Sequence, residues 1–126
     1  IDCFNLICLV YEEILHEKIP YNTTQSGCDI DTNWYSLPKT ANILSERACP
    51  KWGWEIVSHP RPFDVILISL GSTNAPNHCA LFLGGYQGGN KLLQVMEGHP
   101  SYVVPYGRYY QQYTIKIGRW NKNLLC

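Results

Sequence analysis

The chain has no surplus of charge of either sign. Ten Lys and Arg residues balance ten Asp and Glu in 126 residues, and no run of basic residues stands out. This argues against a nucleic-acid binder, which displaces counterions with a concentrated basic patch. Long apolar runs are also missing. The stretch from Val65 to Leu70 is far shorter than a membrane span requires. There is no C-x-x-C, no H-E-x-x-H and no tight cluster of His and Cys, so neither a metal nor a cofactor is expected. Internal repeats and low-complexity tracts are absent. No secretory leader opens the chain, and its first residue is Ile1 rather than Met. The expectation is that something was removed or that this is a piece of a longer protein.

What remains is a chain of one-domain length, large enough to bury a core of its own, and rich in aromatics. It contains nine Tyr and four Trp. Its six cysteines, at positions 3, 8, 28, 49, 79 and 126, are irregularly spaced. The even count permits a disulfide framework. Cys8 falls in a helical pattern and Cys79 in a strand pattern, however, where free cysteine acts as a small hydrophobe. Mostly free thiols are therefore expected, with Cys28 to Cys49 as the exception.

The pattern from Cys3 to about Glu17 is helical. Cys3, Ile7, Val10 and Ile14 recur at steps of four, three and four, which predicts one buried face. Asp2 suits the N-cap, and Lys18 with Pro20 marks the stop. Tyr21 to Ser36 reads as loop, and Pro38 to about Ala48 as a shorter helix with proline near its first turn. The second half reads as strands: Asp64 to Leu70, nearly continuous and so buried on both faces, then His78 to Leu83, Lys91 to Glu97, Ser101 to Val104 and Thr114 to Trp120. Gly84 to Asn90 reads as a glycine-rich connection. Helices first and consecutive short strands afterwards imply an α+β domain, in which an N-terminal helix packs on an antiparallel sheet.

Within that order the chemistry falls on three residues. Cys3 sits on the first turn of a helix, where the macrodipole and unpaired N–H groups favour thiolate over thiol. His78 heads a strand and can serve as its base. Gln94 is a polar residue inside the apolar run Leu92 to Met96, placed to fix the tautomer of that imidazole. A thiol at a helix start, with an imidazole and its orienting group on neighbouring strands, is a papain-like arrangement. Asp64 is expected to bond local backbone N–H groups and to take no part in catalysis. His16 and His59 are expected in solvent. Tyr102, Tyr106, Tyr109, Tyr110 and Tyr113 are expected to pack in core or interface, although a wall facing sugar or peptide is the other option.

These residues resemble the NlpC-type cell-wall cysteine peptidases, and in particular the compact versions carried in the tails of long-tailed bacteriophages. Asp2-Cys3-Phe4-Asn5-Leu6-Ile7 is similar to the family's Asp-Cys-x-Gly-Leu-Val. Arg61-Pro62-Phe63-Asp64-Val65-Ile66-Leu67 is similar to its Pro-Gly-Asp-Leu-Val strand. Asn77-His78-Cys79-Ala80-Leu81-Phe82-Leu83-Gly84 is similar to its His-Val-Gly-Ile-Tyr-Leu-Gly hairpin. Leu92 through Tyr106 is similar to the segment that follows in the phage members. Asn5 and Phe63 stand where the family has glycine.

The resemblance implies one peptidase domain over residues 1–126, with the family's upstream segment lying outside this chain. It makes Cys3 the nucleophile, His78 the base and Gln94 the third polar residue, with His99 as the alternative third residue. It implies a papain-like hydrolase without cofactor or metal. The enzyme would cleave amide bonds in peptidoglycan stem peptides, from D-glutamate to a diamino acid, during host entry. Its setting would be the virion, at the phage tail tip and acting on the host cell wall. Its partners would be bacterial peptidoglycan and other tail-tip or hub proteins, with no nucleic acid and no membrane span. The alternative is a structural or assembly component of the tail tip that keeps the fold without turnover. A secreted, disulfide-stapled binding module is a third reading.

Overall fold

The computed structural model describes residues 3–19, 50–70, 78–86, 89–95 and 100–124. The N-cap expected at Asp2, the helix expected at 38–48, and Cys28, Cys49 and His99 lie outside the described residues. The described part is α+β: one short N-terminal helix, α1 (Cys3–Val10), and a six-stranded antiparallel sheet. The strands are β1 (Trp54–Val57), β2 (Val65–Ile68), β3 (His78–Tyr86), β4 (Gly89–Gln94), β5 (Tyr102–Pro105) and β6 (Thr114–Trp120), in the spatial order β1-β6-β2-β3-β4-β5. A single-turn helix, α2 (Arg108–Gln112), joins β5 to β6. Among the described residues no helix is long and apolar enough to cross a membrane.

β2 lies between β6 and β3, and all four of its residues are buried. This is why its sequence reads as an unbroken apolar run rather than an alternation. Alternate residues of the strands supply two cores, one on each face. Val65, Leu67, Cys79, Leu81 and Val95 pack with Cys3, Leu6, Ile7 and Tyr11 of the N-terminal segment. Ile66, Ile68, Ala80, Phe82 and Leu92 pack on the other side with Tyr106 and Ile117.

Several expectations change. The N-terminal helix is α-helical only to Val10 and continues as a π-turn over Tyr11–Leu15. The wider turn shifts the inward face. Tyr11 takes the buried place, whereas Ile14, expected on that face, is 60% exposed. His16 then ends the segment in the left-handed conformation, with the N–H groups of His16 and Glu17 both donating to the Tyr11 carbonyl. Of the stretch from Gly84 to Asn90, expected as a connection, residues 84–86 and 89–90 are strand. β3 and β4 form a hairpin whose register runs to Gly85 with Asn90 and Tyr86 with Gly89. Between Phe82 and Gly84 that register shifts, and Gly84 takes up the bulge at φ 86°. A Cβ there would lie 2.8 Å from Pro62 Cγ. β1 and α2 were not expected at all. β1 pairs with β6 from Trp54–Trp120 to Val57–Ile117.

The approach to β2 holds the sheet to the N-terminal segment. Phe63 adopts φ 74°, a conformation that favours glycine. Its carbonyl accepts a hydrogen bond from the Tyr11 hydroxyl, and its N–H donates to the Phe82 carbonyl at 2.7 Å. Burial, with the charges of Asp64 and Cys8, lifts the Tyr11 phenol well above its ordinary pKa, so it remains a donor. Next in the chain, the buried Asp64 carboxylate accepts the Arg61 N–H at 2.7 Å. It also accepts two hydrogen bonds from Arg119 of β6, Nε to Oδ1 at 3.1 Å and Nη2 to Oδ2 at 2.9 Å. The local backbone bond was anticipated; the paired arginine was not. Asp64 is thus a clamp between β2 and β6. Asn5 is exposed on α1.

Removing Arg119 leaves a buried carboxylate without its charged partner. Arg119→Ala is predicted to cost about 2–3 kcal/mol of stability in urea unfolding, the scale of hydrogen bonds to a charged group. Arg119→Lys is predicted to recover only part of the loss, since an ammonium cannot make both parallel bonds.

Candidate active site

Three sequence-selected residues meet in one place. α1 starts at Cys3, and the apolar face formed with Leu6 and Ile7 lays it against β3, so the thiol is buried beside Cys79. His78 opens β3 and is buried. Leu81 pairs with Leu93 in the β3–β4 register, and one step further brings Gln94 opposite Ala80. His78 and Gln94 then share a face as diagonal neighbours, a separation that long side chains can bridge. They do so: His78 Nε2 and Gln94 Oε1 are 2.9 Å apart.

The direction of that bond follows from the glutamine. Gln94 Nε2 donates to the Tyr102 hydroxyl at 3.1 Å and to the Tyr110 hydroxyl at 2.9 Å. Oε1 faces the ring, and an amide oxygen can only accept, so His78 donates from Nε2. This leaves Nδ1 as the ring nitrogen for Cys3. Tyr102 sits opposite Gln94 in the β4–β5 register, and Tyr110 comes from α2. Thr114 Oγ1 holds the end of α2 by donating to the Tyr110 carbonyl at 2.8 Å. A buried amide could have been satisfied by backbone alone. Here it is satisfied by one imidazole and two phenols.

The thiol and the ring shift each other's ionisation. Burial alone would push the Cys3 thiol up. Hydrogen bonds from the Cys79 thiol and from His78, the charge of His78 and the Cys79 backbone N–H outweigh it, and bring the pKa from 9.0 down to about 6. The Cys79 and Cys3 sulfurs are 3.3 Å apart. Burial likewise pushes His78 down. Its hydrogen bond and charge attraction with Cys3, with the hydrogen bond to Gln94, outweigh that and raise it above its ordinary value. The thiol is thus shifted towards thiolate, by Cys79 first and then by His78, and the imidazole towards imidazolium, chiefly by Cys3.

Of the residues singled out in the sequence, Cys3, His78 and Gln94 are brought together. Sequence reading missed Tyr102 and Tyr110 as anchors of the amide, and the thiol of Cys79. The tyrosines carried a signal, a cluster of five shortly after Gln94, but packing explained it equally well. Tyr106 does pack in the core, against Phe82 with ring centroids 5.8 Å apart, while Tyr109 is exposed. His16 and His59 are exposed. Cys3, Cys8 and Cys79 are in no disulfide. Among the described residues no group of three or more His, Cys, Asp and Glu is placed to hold a metal ion.

The pair should be visible in the reactivity of Cys3. Alkylation by iodoacetamide, followed at Cys3 by peptide mass mapping across pH, is predicted to rise with a midpoint near the value of about 6. In His78→Ala the burial cost stays while a hydrogen bond and a positive charge go, so the midpoint is predicted to move towards the ordinary 9.0.

Compared with models of known protein families, with curated proteins and with solved structures, the chain matches none.

Proposed function

We propose that this chain is a papain-like cysteine peptidase that hydrolyses amide bonds in peptidoglycan stem peptides. The observation that carries the reading is the linked series Cys3, His78 and Gln94. In it the ring is oriented through Nε2, and thiol and imidazole are shifted towards the charged forms. The Gln94 amide that accepts from the ring is itself held at its other end by the Tyr102 and Tyr110 hydroxyls.

The residues support acyl transfer. The Cys3 thiolate attacks the carbonyl carbon of the scissile amide. The backbone N–H of Cys3, at the start of α1, stabilises the oxyanion that forms. The His78 imidazolium gives its Nδ1 proton to the leaving amine, and the C–N bond breaks to leave a thioester on Cys3. Neutral His78 then takes a proton from water, which attacks the thioester, releases the acid and restores the thiolate. Gln94 holds the ring in plane throughout. Being neutral, it orients the imidazolium without neutralising it.

The substrate class rests on the resemblance to NlpC-type peptidases of phage tails. One structural detail agrees with it: Phe63, in the place of a family glycine, holds a glycine-type φ of 74°. On this reading the protein works at a phage tail tip, with other tail proteins as neighbours, and opens the host wall locally by cutting between D-glutamate and a diamino acid.

Digestion of purified peptidoglycan, read by mass spectrometry of released muropeptides, tests the proposal. The wild type is predicted to generate new amine ends. Cys3→Ala is predicted to reduce their rate by at least about a thousandfold, as expected for loss of a nucleophile. Gln94→Ala is predicted to slow it by roughly ten- to a hundredfold, part of the ~10²–10⁴-fold that acid–base catalysis contributes. It is also predicted to move the alkaline limb of the pH profile downwards, because the Gln94 hydrogen bond helps to raise His78. New amine ends from folded Cys3→Ala at the wild-type rate would end the proposal, as would none from a folded wild type.

A further inference from the structure

The mechanism above leaves one nucleophilic group in the site unused. Cys79 follows the proposed base, His78, on β3, and its side chain is fully buried. Alternation along the strand turns it to the face where α1 packs, opposite to that of His78 and Gln94. There its sulfur lies 3.3 Å from that of Cys3. A small apolar residue would fill this place in the core equally well. What a thiol adds is a hydrogen bond to the Cys3 sulfur and a second sulfur within reach of it, joined by an element pair that already holds the two backbones together.

We infer that Cys3 and Cys79 form a reversible oxidative modification site, in which a hydroperoxide converts the two thiols into an intramolecular disulfide that switches off the Cys3–His78 pair. The inference rests on the reading of Cys3 as a reactive thiolate, but not on which bond that thiolate cleaves.

The first step is attack of the Cys3 thiolate on the terminal oxygen of the hydroperoxide. The O–O bond breaks, an S–O bond forms, and the alkoxide or hydroxide leaves with the proton of the His78 imidazolium. Cys3 is now a sulfenic acid, oxidised by two electrons, and the peroxide is reduced to an alcohol or water. The Cys79 sulfur then attacks the Cys3 sulfur. The S–S bond forms, the S–O bond breaks, and the departing hydroxide takes the Cys79 proton as water. In sum, two thiols and a hydroperoxide give a disulfide, an alcohol or water, and water. A dithiol reverses the change by exchange. The sulfurs must close from 3.3 Å to a bond of about 2.05 Å, a movement on the scale of a side-chain adjustment. Because Cys79 is held at Cys3, it intercepts the sulfenic acid before further peroxide carries it to the irreversible sulfinic and sulfonic acids.

The test uses the full chain, oxidised with graded hydrogen peroxide. Remaining thiols are then alkylated and the products read by intact mass and peptide mapping. The wild type is predicted to lose two hydrogen masses, to yield a Cys3–Cys79 linked peptide, and to return fully with dithiothreitol. Cys79→Ala is predicted to gain two or three oxygen atoms at Cys3, which dithiothreitol does not remove. If Cys79→Ala does not fold, the wild-type map alone decides. A linkage of Cys3 to another cysteine, or direct conversion of wild-type Cys3 to sulfinic acid, would overturn the proposal. A Cys3–Cys79 link in a chain that releases nothing from peptidoglycan would retain this site and remove the peptidase reading. Peptidoglycan cleavage without the link would do the opposite.

Discussion

Burying a thiol and an imidazole side by side works against the charge of both. Out of water each would stay neutral, and a neutral thiol is a poor nucleophile. The Cys79 hydrogen bond and the mutual attraction of Cys3 and His78 work against that outcome, the latter only while the ring presents the correct nitrogen to the sulfur. The architecture around the site serves this constraint. Gln94 takes the far nitrogen of the ring at 2.9 Å, and the Tyr102 and Tyr110 hydroxyls hold the other end of its amide. Contacts from β4, β5 and α2 are thus committed to one hydrogen at the edge of an imidazole.

The same constraint explains why the sheet must be held firmly to α1. A thiolate is stabilised by neighbours only over a few ångströms, so drift of α1 across β3 would return Cys3 to an ordinary buried thiol. The apolar contacts of Leu6, Ile7 and Tyr11 supply adhesion, but adhesion alone does not set register. Register comes from directional bonds: the Tyr11 hydroxyl to the Phe63 carbonyl, and Phe63 N–H to the Phe82 carbonyl. Asp64, locked by Arg119 and the Arg61 N–H, fixes the start of β2 from the other side. A left-handed phenylalanine at position 63 costs about 1–2 kcal/mol of backbone energy. Its half-buried ring, edge-on to Tyr11 with centroids 6.3 Å apart, offsets part of that.

Much of this was legible in the sequence, and the rest was hidden for physical reasons. The apolar run from Val65 to Leu70 announced a central strand because burial on both faces removes alternation. Cys3 and His78 stood out because each heads an element, and Gln94 because it interrupts an apolar run. The helix was misjudged beyond Val10, since a pattern with a period of 3.6 residues cannot register a π-turn; Ile14 was assigned a face that the turn had rotated to solvent. Gly84 to Asn90 looked like loop because glycine signals a break, although here it supplies a bulge within a hairpin. β1 and α2 have too few residues to show a period. The links from Gln94 to Tyr102 and Tyr110, and from Asp64 to Arg119, depend on strand register and on contacts up to 55 residues apart, which spacing along the chain does not encode.

The most direct test of the ion pair is the nitrogen-15 spectrum of the His78 ring at neutral pH, in the wild type and in Cys3→Ala. The account predicts an imidazolium in the wild type, with Nδ1 and Nε2 both protonated. Without Cys3 the ring should become neutral, with its proton kept on the nitrogen that faces Gln94. A ring that is neutral in both proteins, or that carries its single proton on Nδ1, would contradict it.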